Sequence, residues 1–213
     1  MNDFSGSLYK KGDVLKFIVQ DILLTDKFVV LSSERFQKNY GDLLVSDYSG
    51  DLLFDISENL VAEKMGELSK RDLISIEKTM LENLYSTEET LSRSSRSAGK
   101  ITWAPVMFSN LAGIKPRPCI IVSSKFHEQT GTRLIVPTYT QRDKLTDFDM
   151  SLKNTPHDAL GLENLSYVKS KIRTINVAAL ETGIGEMDEK RLAAVRDNIL
   201  YTLEIEENEV SGL

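Results

Sequence analysis

Residues 120–140 read "IIVSSKFHEQTGTRLIVPTYT", and residues 29–49 read "VVLSSERFQKNYGDLLVSDYS". The two stretches align without a gap at an offset of 91. Ile120-Ile121-Val122-Ser123-Ser124 falls on Val29-Val30-Leu31-Ser32-Ser33, Leu134-Ile135-Val136 on Leu43-Leu44-Val45, and Tyr139-Thr140 on Tyr48-Ser49. Short β-branched runs bounded by Pro, Ser and Gly read as strands, and the "QTG" between the two runs of the second stretch reads as a turn.

The likeness extends outward on both sides. Phe54-Asp55-Ile56 matches Phe148-Asp149-Met150 at an offset of 94, and "GELSKRDLISIEKTMLENL" (66–84) matches "GEMDEKRLAAVRDNILYTL" (185–203) at 119. Upstream, "GDVLKF" from Gly12 parallels "GKITWA" from Gly99. The blocks keep one order in both halves, which is the pattern of an internal duplication. The step from 94 to 119 assigns the second copy 25 extra residues between about 152 and 176, a segment that contains "SYVKSKIRTI".

Each copy closes with a helical stripe. Leu192, Val195, Ile199 and Leu203 recur at spacings of three and four, and Leu73, Ile76, Met80 and Leu84 repeat that stripe in register. Asp188 and Ser69 stand where a side-chain oxygen caps the first turn. The expected fold class is α+β, mainly β: two small antiparallel barrels in tandem, each with a C-terminal helix, the first shortened. The expected boundaries are 1–85 for the first copy, 86–98 for a Ser-rich linker ("STEETLSRSSRSA"), 99–205 for the second copy and 206–213 for an acidic tail.

The net charge of −6 is unevenly spread. Residues 1–94 carry 11 Lys/Arg against 17 Asp/Glu, and residues 95–213 carry 15 against 15. Four of the latter acids (Glu204, Glu206, Glu207, Glu209) lie in the last ten residues, so the body of the second copy is mildly basic. An anionic ligand fits the second copy better than the first. No apolar run approaches the ~20 residues of a membrane helix, and the N-terminus lacks a secretory apolar stretch. The single cysteine, Cys119, excludes an intrachain disulfide and offers no metal cluster. A cytoplasmic protein is expected, without membrane contact.

"RPCIIVSS" (117–124), "EQTGTRLIVPTYTQ" (128–141) and "KIRTI" (171–175), in that order, resemble the MazF/PemK family of toxin endoribonucleases over about 99–205. The first half resembles a shortened, degenerate copy of the same unit. The resemblance implies SH3-like barrels and sequence-selective, metal-independent cleavage of single-stranded RNA. In that chemistry the 2′-OH attacks the adjacent phosphate and leaves a 2′,3′-cyclic phosphate and a 5′-OH end. It also implies a protein antitoxin as partner, no cofactor, no metal, and action as a dimer.

The resemblance places the family's catalytic arginine on Arg117 and its catalytic threonine on Tyr139, with Thr140 beside it. A planar guanidinium can hold two phosphate oxygens at once, and an aromatic face can stack on an unpaired base. The expected RNA-binding residues are Gln141, Lys169, Ser170, Lys171, Arg173 and Thr174, with Ser170 and Lys171 replacing the acid and glutamine of the family pattern. Lys169, Lys171 and Arg173 would share one face of a strand, a stripe suited to a phosphate backbone or to the protection of a sheet edge. His127 and His157 read as loop residues, and Trp103 and Cys119 as core.

A tandem chain would form a pseudo-dimer of its own two barrels, or a homodimer through its second copies. The first copy carries Asp26 opposite Arg117 and lacks the "KIRTI" strand. It is then either a packing partner or a built-in cover for the basic groove. Two functions follow: an endoribonuclease toxin centred on Arg117, or a catalytically silenced module that binds RNA or an antitoxin-like peptide.

Overall fold

The computed structural model describes residues 9–19, 22–23, 26–85, 97–123, 131–140, 145–146, 148–152, 160–162 and 166–205. Gln141, His127, His157, most of the expected linker and the acidic tail lie outside the described residues. The rest is mainly β, with two antiparallel sheets and three α-helices among the described residues. No helix among them is long and apolar enough to cross a membrane.

In the first sheet β1 (Asp13–Val19) pairs with β2 (Ile22–Leu23) and β3 (Phe28–Val30). After α1 (Glu34–Tyr40) the chain returns as β4 (Asp42–Ser46) beside β3, and β5 (Leu53–Ser57) follows on β4. The strand β6 (Val61–Glu67) closes back onto β1, and α2 (Lys70–Tyr85) follows it. The second sheet runs from β7 (Lys100–Met107) through β8 (Ile114–Ile121) to β9 (Thr132–Tyr139). Short strands β10 (Met150–Ser151) and β11 (Tyr167–Val168) extend the far end of β9, and β12 (Arg173–Asn176) pairs with its near end. The strand β13 (Gly183–Glu186) closes onto β7 before α3 (Glu189–Leu203).

The two sheets share hydrogen bonds at corresponding places. Gly12 N–H donates to the Val30 carbonyl at 2.8 Å, and Gly99 N–H to that of Ile121 at 2.9 Å. Leu68 N–H donates to Gly12 and Met187 N–H to Gly99. Both glycines hold a left-handed backbone, φ +91° and +85°, which a side chain would strain.

These bonds also correct the sequence alignment. Leu31 N–H donates to Leu44 and Val122 N–H to Leu134, so β4 corresponds to β9 at an offset of 90 rather than 91. A one-residue slip in a strand exchanges its faces. The apolar runs could not reveal the slip, because β4 is buried on both faces and β9 nearly so, which leaves no alternation to fix the phase. Asp42 pairs with Ser57 and Thr132 with Asn176, so β5 corresponds to β12 and not to residues 148–150. Relative to the first half, the added length of the second half therefore lies between β9 and β12. The expected strand through Lys169–Arg173 is interrupted: β11 stops at Val168 and β12 starts at Arg173.

The largest core runs through both halves of the chain. It joins Val29, Phe36, Leu44, Leu53 and Met80 to residues such as Ile120, Leu134, Val136, Ile199 and Leu203. Each sheet also covers a smaller core on its other face, Phe17 and Leu43 in the first and Cys119 and Ile135 in the second.

The end of α3 is tied to the first copy. The Ser33 hydroxyl caps α1 by accepting from Phe36 N–H at 3.2 Å, and donates to the Thr202 carbonyl at 2.7 Å. The Arg35 guanidinium donates to the Tyr201 carbonyl at 3.2 Å and the Lys11 ammonium to Leu203 at 3.1 Å. The last carbonyls of a helix lie beyond its regular i to i−4 ladder; that of Tyr201 also accepts from the capping Glu204 N–H at 3.3 Å, and two of these side-chain partners bring a cation to the negative end of the helix dipole. Ser33→Ala removes a cap and leaves a buried carbonyl short of a donor. It is expected to lower stability by about 1–2 kcal/mol, read as a lower urea midpoint at unchanged slope.

Candidate active site

Arg117 stands in β8 opposite Ala104 of β7, one strand from Tyr139 at the end of β9. Its guanidinium carbon lies 4.8 Å from the centre of the Tyr139 ring. Among the described residues its side chain makes no ion pair and no hydrogen bond. Such a group is always charged and has five donors to offer.

Arg117 adjoins two cavities. One, of about 300 Å³, is bordered by Tyr139, Lys171 and Arg173 of the second copy and by Asp55 and Ser57 of the first. The other, of about 370 Å³, is bordered by Trp103, Lys115, Thr138, Thr140 and Leu162. Neighbours in a strand face opposite ways, so Tyr139 opens on the first cavity and Thr140 on the second. The expected catalytic set is thus brought around one guanidinium, but from two sides. Burial raises the Tyr139 hydroxyl above its ordinary range, and the Asp55 charge adds to this against the pull of Lys171, Arg173 and Arg117. At neutral pH Tyr139 is therefore a proton donor.

The expected RNA-binding residues lie at the junction with the first copy. The Lys171 ammonium pairs with Asp42 and, at 3.4 Å, with Asp55. The Arg173 guanidinium pairs with Asp55 and donates to the Met107 carbonyl. Thr174 donates to the Asp51 carbonyl at 2.7 Å and accepts from Leu53 N–H at 2.9 Å. Lys169 lies 3.5 Å from Asp149, with its ammonium 5.7 Å from the Tyr40 ring. Ser170 turns toward α3, where its hydroxyl donates to the Asn198 carbonyl at 3.3 Å and accepts from Asn198 and Thr202. That turn breaks the strand, so Lys169, Lys171 and Arg173 do not share a strand face. Tyr40 of α1 fills the space beside them, accepting from Ser170 N–H and donating to Asp149 at 3.1 Å. Burial raises its hydroxyl pKa well above the usual value.

Trp103 departs from the expected core position: it is 38% exposed on the outer face of β7. The alternation of Trp103, Pro105 and Met107 with buried Ala104 and Val106 carries this signal in the sequence. Asp42, Asp55 and Tyr40 reach the site only through the packing of the two copies. In the first half Asp26, which the internal alignment sets against Arg117, adjoins a cavity with Phe28, Asp47 and Tyr48.

Cys119, two residues after Arg117, is fully buried, and burial pushes its thiol from an ordinary 9.0 up to about 12. Its neutral form thus favours the folded chain below pH 9, a contribution lost as pH rises from there toward 12. The folded chain is expected to resist a thiol reagent at pH 8 and to take up one equivalent once unfolded in urea, as mass spectrometry would show. Rapid labelling of the folded chain would contradict this burial.

Residues 97–203 match the model of the PemK-like, MazF-like toxins of type II toxin-antitoxin systems. Among solved structures, the chain is similar to a MazE–MazF crystal structure from Deinococcus radiodurans (21% identity, covering 53% of this chain and 100% of that one, TM-score 0.42). It is also similar to an endoribonuclease in complex with its cognate antitoxin from a mycobacterial species (18% identity, 52% and 96%, TM-score 0.41). A third is the Mycobacterium tuberculosis toxin MazF-mt6 (21% identity, 50% and 98%, TM-score 0.39). No curated protein matches the chain.

Proposed function

The chain belongs to the PemK-like, MazF-like toxin family of type II toxin-antitoxin systems, and from that premise we propose that it is an endoribonuclease that cuts single-stranded RNA. The observation that carries this is the Arg117 guanidinium, without an ion pair among the described residues, beside the protonated Tyr139 hydroxyl. The 2′-hydroxyl gives its proton to solvent as its oxygen attacks the adjacent phosphorus, the bond to the 5′-oxygen breaks, the ends left are a 2′,3′-cyclic phosphate and a 5′-OH, and solvent returns a proton to the site for the next cycle. The nucleophile is part of the substrate, so no water need be activated by a metal. Arg117 holds the non-bridging oxygens as their charge grows, and Tyr139 can hand its proton to the departing 5′-oxygen. Thr140, in the adjoining cavity, contacts the RNA on the other side of Arg117.

The first half is in this proposal a degenerate SH3-like copy, and the two barrels form a pseudo-dimer within one cytoplasmic chain. What supports it is the meeting of corresponding strands across the junction, where Thr174 of β12 bonds to Asp51 and Leu53 at β5, as in a two-fold contact. Asp26 in place of an arginine leaves such a chain one active site. A protein antitoxin is the proposed inhibitor.

The test is incubation of the chain with a long single-stranded RNA in the presence of a chelator. Fragmentation that depends on Arg117 supports the proposal. RNA that stays intact but bound would favour a silenced binding module, a reading to which the internally paired Lys171 and Arg173 lend weight.

A further inference from the structure

Five charges surround or back the cavity beside Tyr139. The second copy supplies the cations Arg117, Lys171 and Arg173, and the first copy supplies the acids Asp42 and Asp55. Their sum leaves a single positive charge, and among the described residues Arg117 is the one of these three cations without a carboxylate partner. The pairs are desolvated: the Asp55 side chain is 1% exposed and that of Arg173 10%. Salt screens such buried pairs little. Arg173 is nevertheless incompletely satisfied, because its Nε is buried without a hydrogen-bond partner while its other nitrogens reach Asp55 and the Met107 carbonyl. It lines the cavity with a donor in reserve.

We propose that the first copy is a tethered competitor of the anionic ligand, with Asp55 holding in an internal ion pair the Arg173 that a phosphodiester would otherwise engage. The proposal rests on the RNA chemistry proposed above and adds its regulation. Asp55 stands where a phosphate would stand: beside Arg173, within 3.4 Å of the Lys171 ammonium, and on the border of the cavity that Arg117 adjoins. Asp42 holds Lys171 in the same way. An RNA backbone entering the cavity meets one ready cation, and gains the others only by displacing carboxylates of its own shape and charge. The competitor is covalently tethered, so its effective concentration is set by folding and does not fall on dilution.

The test uses the full chain and a short fluorescein-labelled single-stranded RNA with 2′-O-methyl sugars, which can bind but not be cut. Asp55→Asn keeps the shape and removes the charge. It is expected to tighten binding about tenfold at low salt, the worth of one added charge-assisted contact. It should also steepen the dependence of log affinity on log salt by about 0.7, the increment for one more single-strand phosphate contact. The double variant Asp55→Asn/Arg173→Gln should lose that added slope, which a general loosening of the junction would not explain. If Asp55→Asn does not fold, Asp42→Asn leaves the Asp55–Arg173 pair in place and should give a smaller gain of the same sign. Binding by a folded variant that is no tighter and no more salt-dependent overturns the competitor and leaves the RNA proposal standing. No binding by the unsubstituted chain or any variant overturns both.

Discussion

Replacing Arg117 by alanine is expected to slow RNA cleavage about 10²–10³-fold, the loss typical of removing one donor to a developing oxyanion. The fold should survive the change. Arg117 has no carboxylate partner among the described residues, and the contact it loses is its stacking near the Tyr139 ring at 4.8 Å. That contact is worth about 0.5–1 kcal/mol, so the unfolding midpoint should move little. Lysine restores the charge but not the planar fork that spans two phosphate oxygens, and Arg117→Lys should recover only part of the rate. Cleavage at the original rate by Arg117→Ala would remove Arg117 from the chemistry.

The second large effect concerns the joint between the two halves of the chain. Phe36 is fully buried in the core that both copies share, with its ring 4.8 Å from that of Tyr40. Phe36→Ala is expected to cost about 3–5 kcal/mol, from lost burial and the cavity left behind. In a chain of this size that is a fall on the order of 10 °C in melting temperature. Trp103, the one tryptophan, lies in the second copy, while Phe36 lies in the first. If the core is one cooperative unit, Trp103 fluorescence and helical ellipticity should shift together in a single transition. A Trp103 transition that stays in place would mean that the copies unfold independently.

The sequence carried the strands β7, β8 and β9, the two closing helices and the Asp188 cap, because those depend on local apolar period and capping chemistry, and it carried neither α1 nor the closing strands β6 and β13. It misplaced β4 against β9 by one residue, since strands apolar on both faces carry no phase. It also matched β5 to the wrong partner, for Phe54-Asp55-Ile56 resembles Phe148-Asp149-Met150 in letters but pairs as β12 does. Arg117 and Tyr139 were legible through a family pattern carried by adjacent strands. The exposure of Trp103 is legible in the alternation of β7. Asp42, Asp55 and Tyr40 were not legible, because their place beside Lys171 and Ser170 is set by contacts more than a hundred residues apart along the chain. The acidic excess of the first half was the one hint of them, and it named no residue.

The measurement that bears most directly on the central claim is the mapping of 5′ ends after a long single-stranded RNA is incubated with the chain in chelator. The account predicts discrete cuts at a short recurring motif, each leaving a 5′-OH on one fragment and a cyclic phosphate on the other, and their disappearance with Arg117→Ala. Intact RNA, or fragments that begin with a 5′-phosphate, would contradict it.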